Sequence, residues 1–373
     1  MKFINCSYES FIQSIGQRNI IQFGVSSAWP YFCGIFPDVK KEIVDNTLFI
    51  VDNSLEKQNH SFQIMGREID VNSPDVLSSE TGYLILITAS LMHHEAICEQ
   101  LQIMDLGEDV ECYSLYLMTI SKSSVDNTAV NKYFEDRKDK CIPARIHSFW
   151  FGKAEKPDLY KKCIDSWYRY CPDYEIIEWN TENYDISKNR YMLEAFEHQK
   201  WAFVSDYARL DCVYNQGGVY LDMDVELVAS LDPYLFADIF FCKQDDGMME
   251  LGSGFGAAKG NALIREMLES YDDRTFVLPD GSIDNTPQPE LMHPIFLKNG
   301  FNRNHDSQIV GDCLVLSNDY ITCYAGDGSV DNARLGIHWH NASWLDDKDR
   351  HNLKASAEAK EPLIKKYFTV TYD

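Results

Sequence analysis

The stretch that most restricts this 373-residue chain is Gly217-Gly-Val-Tyr-Leu-Asp-Met-Asp-Val225. A long apolar-patterned segment, residues 195–216, precedes it and reads as a helix. The two glycines stop that helix, because glycine takes the left-handed backbone of a helix C-terminus without a Cβ clash. Residues 219–225 then read as an apolar strand that turns acidic at its carboxyl end. A helix feeding such a strand is a unit of an open α/β sheet, and ligands of those sheets gather outside the carboxyl ends of the strands. Side chains alternate along a strand, so Asp222 and Asp224 are expected on one face, addressing one point. Carboxylates inside an apolar strand are costly without a partner, and a hard divalent cation, Mg2+ or Mn2+, is a natural one. A structural salt bridge or cap is the other reading. Asp347-Lys-Asp349 repeats the spacing in a stretch that reads as plain solvated surface.

The alternation of strand and helix runs through the rest of the chain. Asn19-Ile-Ile-Gln-Phe23, Thr47-Leu-Phe-Ile-Val51 and Tyr83-Leu-Ile-Leu-Ile87 are short runs rich in branched residues, separated by helical stretches. They predict a small parallel α/β domain of Rossmann type over residues 1–140. Its first turn, Gly24-Val-Ser-Ser-Ala28, lacks G-x-G-x-x-G, which makes a dehydrogenase built on this domain a poor reading. Residues 131–140 are charged and poor in apolar side chains, and predict a helix or linker with the domain boundary near Cys141. Beyond it, residues 145–150 and 174–179 read as strands. Residues 158–170 read as a helix with Leu159, Cys163, Ile164 and Trp167 on one face. Residues 141–373 are thus expected to form a second α/β domain.

A net charge of −24 and a pI of about 4.7 argue against nucleic acid or an anionic lipid surface as a partner. A bound diphosphate would need its charge met locally by a cation or a helix N-terminus. The start, Met1-Lys-Phe-Ile-Asn-Cys6, has neither the basic opening nor the long apolar run of a signal peptide. The longest near-apolar run, residues 83–92, is too short to span a bilayer. These features predict a cytoplasmic location with no transmembrane segment. Lys354, Lys360, Lys365 and Lys366 in the tail read either as a membrane-peripheral contact or as a solvated helix face. Eleven cysteines without a C-x-x-C pair are expected to be reduced and mostly buried.

Upstream of the acidic strand, Phe203-Val-Ser-Asp-Tyr-Ala-Arg-Leu-Asp211 places Asp206 and Arg209 three apart, as surface neighbours on the expected helix. Read alone, they are a local ion pair. Read together, several blocks resemble a family. Ser205-Asp-Tyr-Ala-Arg209 and Gly217-Gly-Val-Tyr-Leu-Asp-Met-Asp224 look like the sugar-binding DXD region of glycosyltransferase family 32. Ile142-Pro-Ala-Arg-Ile-His-Ser-Phe-Trp-Phe-Gly152, Cys171-Pro-Asp-Tyr-Glu-Ile-Ile-Glu-Trp179 and His338-Trp-His-Asn-Ala-Ser-Trp344 extend the resemblance over most of residues 141–345.

The resemblance implies a GT-A (nucleotide-diphospho-sugar transferase) domain after the Rossmann-like one, and a metal-dependent, retaining hexosyltransferase. It implies a UDP- or GDP-sugar donor, a saccharide or lipid-linked saccharide acceptor, and a role in surface-polysaccharide synthesis. It makes Asp222 and Asp224 the metal and ribose pair, His338 a further metal ligand, and Asp206 and Arg209 the contacts to the donor sugar. Asp222, Asp224 and Arg209 are then the catalytic groups. Trp150 would stack on the donor base, Tyr220 would touch the donor, and Trp344 would close over it. The block Leu251-Gly-Ser-Gly-Phe-Gly-Ala-Ala-Lys-Gly260 resembles the family's glycine-rich stretch, with Gly254 on the donor side. A tight turn or close packing is the other reading of those glycines. Two departures stand out: Glu250 replaces a common asparagine, and Thr286-Pro-Gln-Pro289 replaces a usual T-G-P.

Residues 219–225 also resemble the apolar D-x-D strand of haloacid-dehalogenase-type phosphatases, in which Asp222 would be a nucleophile on phosphate. That motif normally opens its domain, whereas here a strand–helix–strand unit precedes it. A non-catalytic nucleotide-sugar-binding scaffold is the third reading.

Overall fold

A computed structural model describes residues 1–6, 8–16, 18–25, 37–64, 66–118, 128–135, 137–152, 155–244, 247–302, 306–323, 333–339 and 362–370. The chain divides into two compact units, Met1–Ser124 with Asn352–Asp373, and Val125–His351. This division differs at both ends from one drawn at Cys141. The helix Thr128–Glu135 packs with the second unit, where Tyr133 Oη donates to Asp312 O at 2.8 Å and Arg137, just beyond it, pairs with Asp238 at 3.0 Å. At the other end the strand Thr369–Val370 adds to the first unit by parallel pairing with Lys2–Asn5.

The first unit is built on an eight-stranded sheet. Its order is Thr369–Val370, Lys2–Asn5, Glu111–Ser114, Tyr83–Ile87, Asn19–Phe23, Thr47–Val51, Arg67–Asn72 and Ser61–Ile64. Every pair is parallel except the final hairpin of Ser61–Ile64 with Arg67–Asn72. The three strands read from sequence fall on the expected residues, and Tyr83–Ile87, buried at every position, is the continuous apolar run that a strand covered on both faces requires. Odd and even positions feed different cores. Ile21, Phe23, Ile85 and Ile87 enter one cluster, and Ile20, Leu84 and Leu86 the other. The strand order reverses beside Asn19–Phe23, the position where such sheets open a crevice. There the turn after Asn19–Phe23 packs closely against the turn after Tyr83–Ile87. Gly24 has φ +105°, a Cβ on it would stand 2.6 Å from Ala89 Cβ, and Thr88 Oγ1 donates to Gly24 O at 2.6 Å.

The second unit has a seven-stranded mixed sheet in the order Gln308–Val310, Cys313–Leu316, Ile239–Cys242, Phe255–Ala257, Gly218–Tyr220, Arg145–Phe149, Glu175–Trp179. Phe255–Ala257 runs antiparallel to both neighbours. A separate three-stranded sheet joins Val225–Leu227, Gly336–His338 and Ile321–Cys323. The helix Asp158–Tyr170 has the expected bounds, and it buries Tyr160, Cys163, Ser166 and Trp167. The helix expected over residues 195–216 is two helices, Arg190–Glu197 and Trp201–Gln216, because Gln199 takes φ +56° between them. Gly217, at φ +66°, ends the second as anticipated. Eight of the described cysteines are buried thiols and Cys141 is exposed. No helix among the described residues is long and apolar enough to cross a membrane.

Candidate functional site

The residues expected to form one acidic strand do not. The strand ends at Tyr220, and Val225 N donates to Asp222 O at 3.0 Å, closing a turn before Val225–Leu227 starts in the other sheet. Period-two alternation therefore does not bring Asp222 and Asp224 together. The turn does, with a third group from a distant part of the chain. The strand Gly336–His338 pairs antiparallel with Val225–Leu227 in a register that sets His338 opposite Val225, and Trp339 N donates to Asp224 O at 3.0 Å. His338 Nε2 thereby stands 3.3 Å from Asp224 Oδ1 and 3.9 Å from Asp222 Oδ2. One ligand atom from each of the three residues lies within 4.8 Å of the others. Two carboxylates and an imidazole at that spacing form a donor set for a divalent cation.

Asp222 is held from the side of the large sheet. Its Oδ1 accepts a short hydrogen bond from Tyr220 Oη, and its N–H donates to Gly252 O at 3.1 Å. Tyr220 is fully buried, so it positions Asp222 instead of presenting an open face to a ligand. The Arg209 guanidinium lies 5.0 Å from the Tyr220 ring centroid, 3.9 Å from Asp222 Oδ1 and 2.6 Å from Asp206 Oδ1. Asp206 and Arg209 are both buried, so this is no solvated helix-surface pair. Burial pushes the Asp206 carboxyl up to about 7 against the pull of Arg209, and the Asp222 and Glu250 carboxylates add to the rise. Gln288, in the segment that departs from T-G-P, donates from Nε2 to Asp206 O at 2.6 Å.

The wall that sequence reasoning did not assign is the loop at residues 250–253. Glu250 Oε1 accepts the Gly252 N–H at 2.8 Å, and Ser253 Oγ is 2.9 Å from His338 Nδ1. Burial raises the Glu250 carboxyl, while His338, the Gly252 N–H and Arg209 oppose the shift. Gly252 has no room for a side chain: a Cβ there would meet Asp222 Oδ2 at 2.5 Å and Glu250 Oε1 at 2.9 Å. The signal in the sequence was the glycine-rich block itself, whose most constrained member for this site is Gly252, not Gly254. Gly254 has φ +143°, and its missing Cβ makes room for Leu221 Cδ2 at 2.9 Å, which is a core-packing role. Trp150 stands at the end of Arg145–Phe149, edge-on to Tyr160 at 5.5 Å, and lines a cavity of about 560 Å3 with Gly152, Lys156 and Ile164. Trp344 and His340 lie outside the described residues.

Residues 157–240 match the family described as the glycosyltransferase sugar-binding region containing a DXD motif. Mannosyl phosphorylinositol ceramide synthase SUR1 of Saccharomyces cerevisiae is 30% identical over 146 residues, 35% of this chain and 36% of its own length. The chain therefore spans about a third of that relative. Among solved structures, the PaToxG glycosyltransferase superposes with a TM-score of 0.34 at 17% identity, over 46% of this chain and 74% of its own. Aspartate semialdehyde dehydrogenase II from Vibrio cholerae gives a TM-score of 0.21 at 10% identity, over 94% of this chain and 99% of its own. Neither score is high enough to define a shared fold. The matched span, with Asp222-Met-Asp224 as its D-x-D, makes residues 157–240 similar to a glycosyltransferase sugar-binding region.

Proposed function

We propose that the protein is a metal-dependent, retaining glycosyltransferase that moves a hexose from a UDP- or GDP-sugar to a saccharide or lipid-linked saccharide. In this reading the second unit is a GT-A domain and the first a Rossmann-like unit without a dinucleotide site. The observation that carries it is the convergence of Asp222, Asp224 and His338 within 4.8 Å, at the motif of the matched region. Asp222, Asp224 and His338 would hold Mn2+ or Mg2+, and the imidazole favours Mn2+. Ser253 fits that role: with the hydrogen on His338 Nδ1 donated to Ser253 Oγ, Nε2 offers its lone pair toward the two carboxylates. The bound cation would supply positive charge where the leaving diphosphate develops negative charge.

The chain's own groups do the rest. Arg209, fixed between Asp206 and Tyr220, orients the oxygens of the donor sugar, an entropic contribution to the rate. Trp150 stacks on the donor base beside its cavity, and the family resemblance alone gives Trp344 the role of closing over the donor. The acceptor hydroxyl attacks on the face the diphosphate leaves, and the leaving phosphate takes its proton. The yeast relative is named for making mannosyl phosphorylinositol ceramide, which makes GDP-mannose and a lipid-linked acceptor the first pair to assay. We place the enzyme in the cytoplasm, in surface-polysaccharide synthesis. Release of nucleoside diphosphate from UDP- and GDP-sugars, with Mn2+ and with a chelator, tests the function. Asp224→Asn is expected to abolish release while the urea midpoint stays near that of the parent. Turnover retained in Asp224→Asn, or phosphate released from simple phosphomonoesters in place of sugar transfer, would end this reading.

A further inference from the structure

Glu250 is a mostly buried carboxylate that the cation site does not use. Its backbone N–H donates to Cys242 O at 2.9 Å, and its Oε1 accepts the Gly252 N–H at 2.8 Å, so its position is fixed from both sides. Glu250 Oε1 and Asp222 Oδ2 flank the same empty Cβ position of Gly252, at 2.9 and 2.5 Å, so these oxygens are at most 5.4 Å apart. Yet Glu250 stands outside the group formed by Asp222, Asp224 and His338. Among the described residues no cation lies within ion-pair distance of Glu250, although Arg209 is spent on Asp206 close by. A withdrawn carboxylate with one backbone hydrogen-bond donor and cations only at longer range, His338 and Arg209, costs free energy, and a ligand offering further donors offsets that cost.

A carboxylate accepts only, and its lone pairs suit two adjacent hydroxyls. The site as read above brings one ligand of that chemistry beside Asp222: the sugar of the donor. Resting on that reading, we propose that Glu250 is a donor-sugar contact, accepting hydrogen bonds from sugar hydroxyls beside Asp222. It sets which sugars are taken, and it is not a ligand of the cation.

The test measures Mn2+, UDP, UDP-glucose, GDP and GDP-mannose binding by calorimetry to the whole chain, parent and Glu250→Gln. Glutamine keeps the acceptor for the Gly252 N–H. The expected result is Mn2+ and nucleoside-diphosphate affinities within about twofold of the parent, with the extra affinity contributed by the sugar falling about ten- to a hundredfold. Glu250→Asp, which withdraws the carboxylate by one methylene, is expected to lose the same sugar increment and serves if the glutamine variant does not fold. A parent that binds these nucleotide sugars, alongside a variant that binds them as well, overturns the Glu250 assignment alone. A variant with weakened Mn2+ binding overturns it by making Glu250 a cation ligand. A parent that binds no nucleotide with Mn2+ removes the glycosyltransferase reading and this inference with it.

Discussion

Replacing Gly252 with alanine probes the proposed cation site without substituting any of its three candidate ligands. Gly252 does not use positive φ, so alanine can take its backbone without strain. The new Cβ would fall 2.5 Å from Asp222 Oδ2 and 3.3 Å from Asp222 Cγ. Carbon and oxygen do not pack closer than roughly 3.0–3.3 Å, so the carboxylate must retreat by at least about half an ångström. It cannot retreat freely, because Tyr220 Oη holds the other oxygen and Gly252 O holds the backbone N–H. Metal–ligand distances tolerate about 0.2 Å, less than half of that displacement. Disturbing a group that orients a ligand typically costs about ten- to a hundredfold in metal affinity, and that is the loss expected for Mn2+ titrated by calorimetry. Global stability should change little, since the clash is taken up by a partly exposed carboxylate and not by the core. Gly152→Ala is the control: its Cβ meets only Trp201 Nε1 at 4.0 Å, and Mn2+ binding should be unaltered. Parent-like Mn2+ affinity in Gly252→Ala would refute the placement of Asp222 in the cation shell.

Two further outcomes follow from the same geometry. His338→Ala should raise the Mn2+ concentration needed for half-maximal activity about tenfold or more, and a parent-like activation curve would remove His338 from the ligand set. His147 is buried, accepts from Trp179 Nε1 at 3.0 Å and donates to Gly217 O at 2.8 Å, and burial lowers it to about 4. Between pH 6.5 and 4 the unfolded chain takes up that proton and the folded chain does not, so His147's contribution falls as pH drops, by about 2 kcal/mol at pH 5. Asp206, raised to about 7, works in the opposite direction over an overlapping range, so the readout is a difference between proteins. His147→Gln, unfolded by urea at pH 7.5 and 5, should lose less stability on acidification than the parent, and an equal loss would contradict the assignment.

Much of this was legible in the sequence because buried parallel strands advertise themselves. Residues 83–87 are apolar without interruption, residues 19–23 and 47–51 are broken only by Asn19, Gln22 and Thr47, and five-residue runs so rich in branched side chains suit strands. Thr369–Val370 and Lys2–Asn5 are too short to carry a periodic signal, which is why the tail's place in the first unit went unread. The acidic segment misled for a different reason. Its period-two pattern fits a strand, and nothing local marks the hydrogen bond from Val225 N to Asp222 O that folds it into a turn between two sheets. His338 was reachable only through the resemblance, since 114 residues separate it from Asp224 and only sheet pairing joins them. Glu250, Gly252 and Ser253 had composition in their favour but no spacing rule. Their roles come from which side of the loop meets Asp222 and His338, a tertiary fact.

In the proposed function one site binds a nucleotide sugar and a divalent cation together. Thermal unfolding of the parent and of Asp224→Asn, against a panel of UDP- and GDP-sugars with and without Mn2+, tests it most directly. Ligands that bind the folded state raise its melting temperature by mass action. At least one nucleotide sugar is expected to stabilise the parent only when Mn2+ is present, and the same pair to leave Asp224→Asn unmoved. Stabilisation that is independent of Mn2+, or equal in the two proteins, would contradict it.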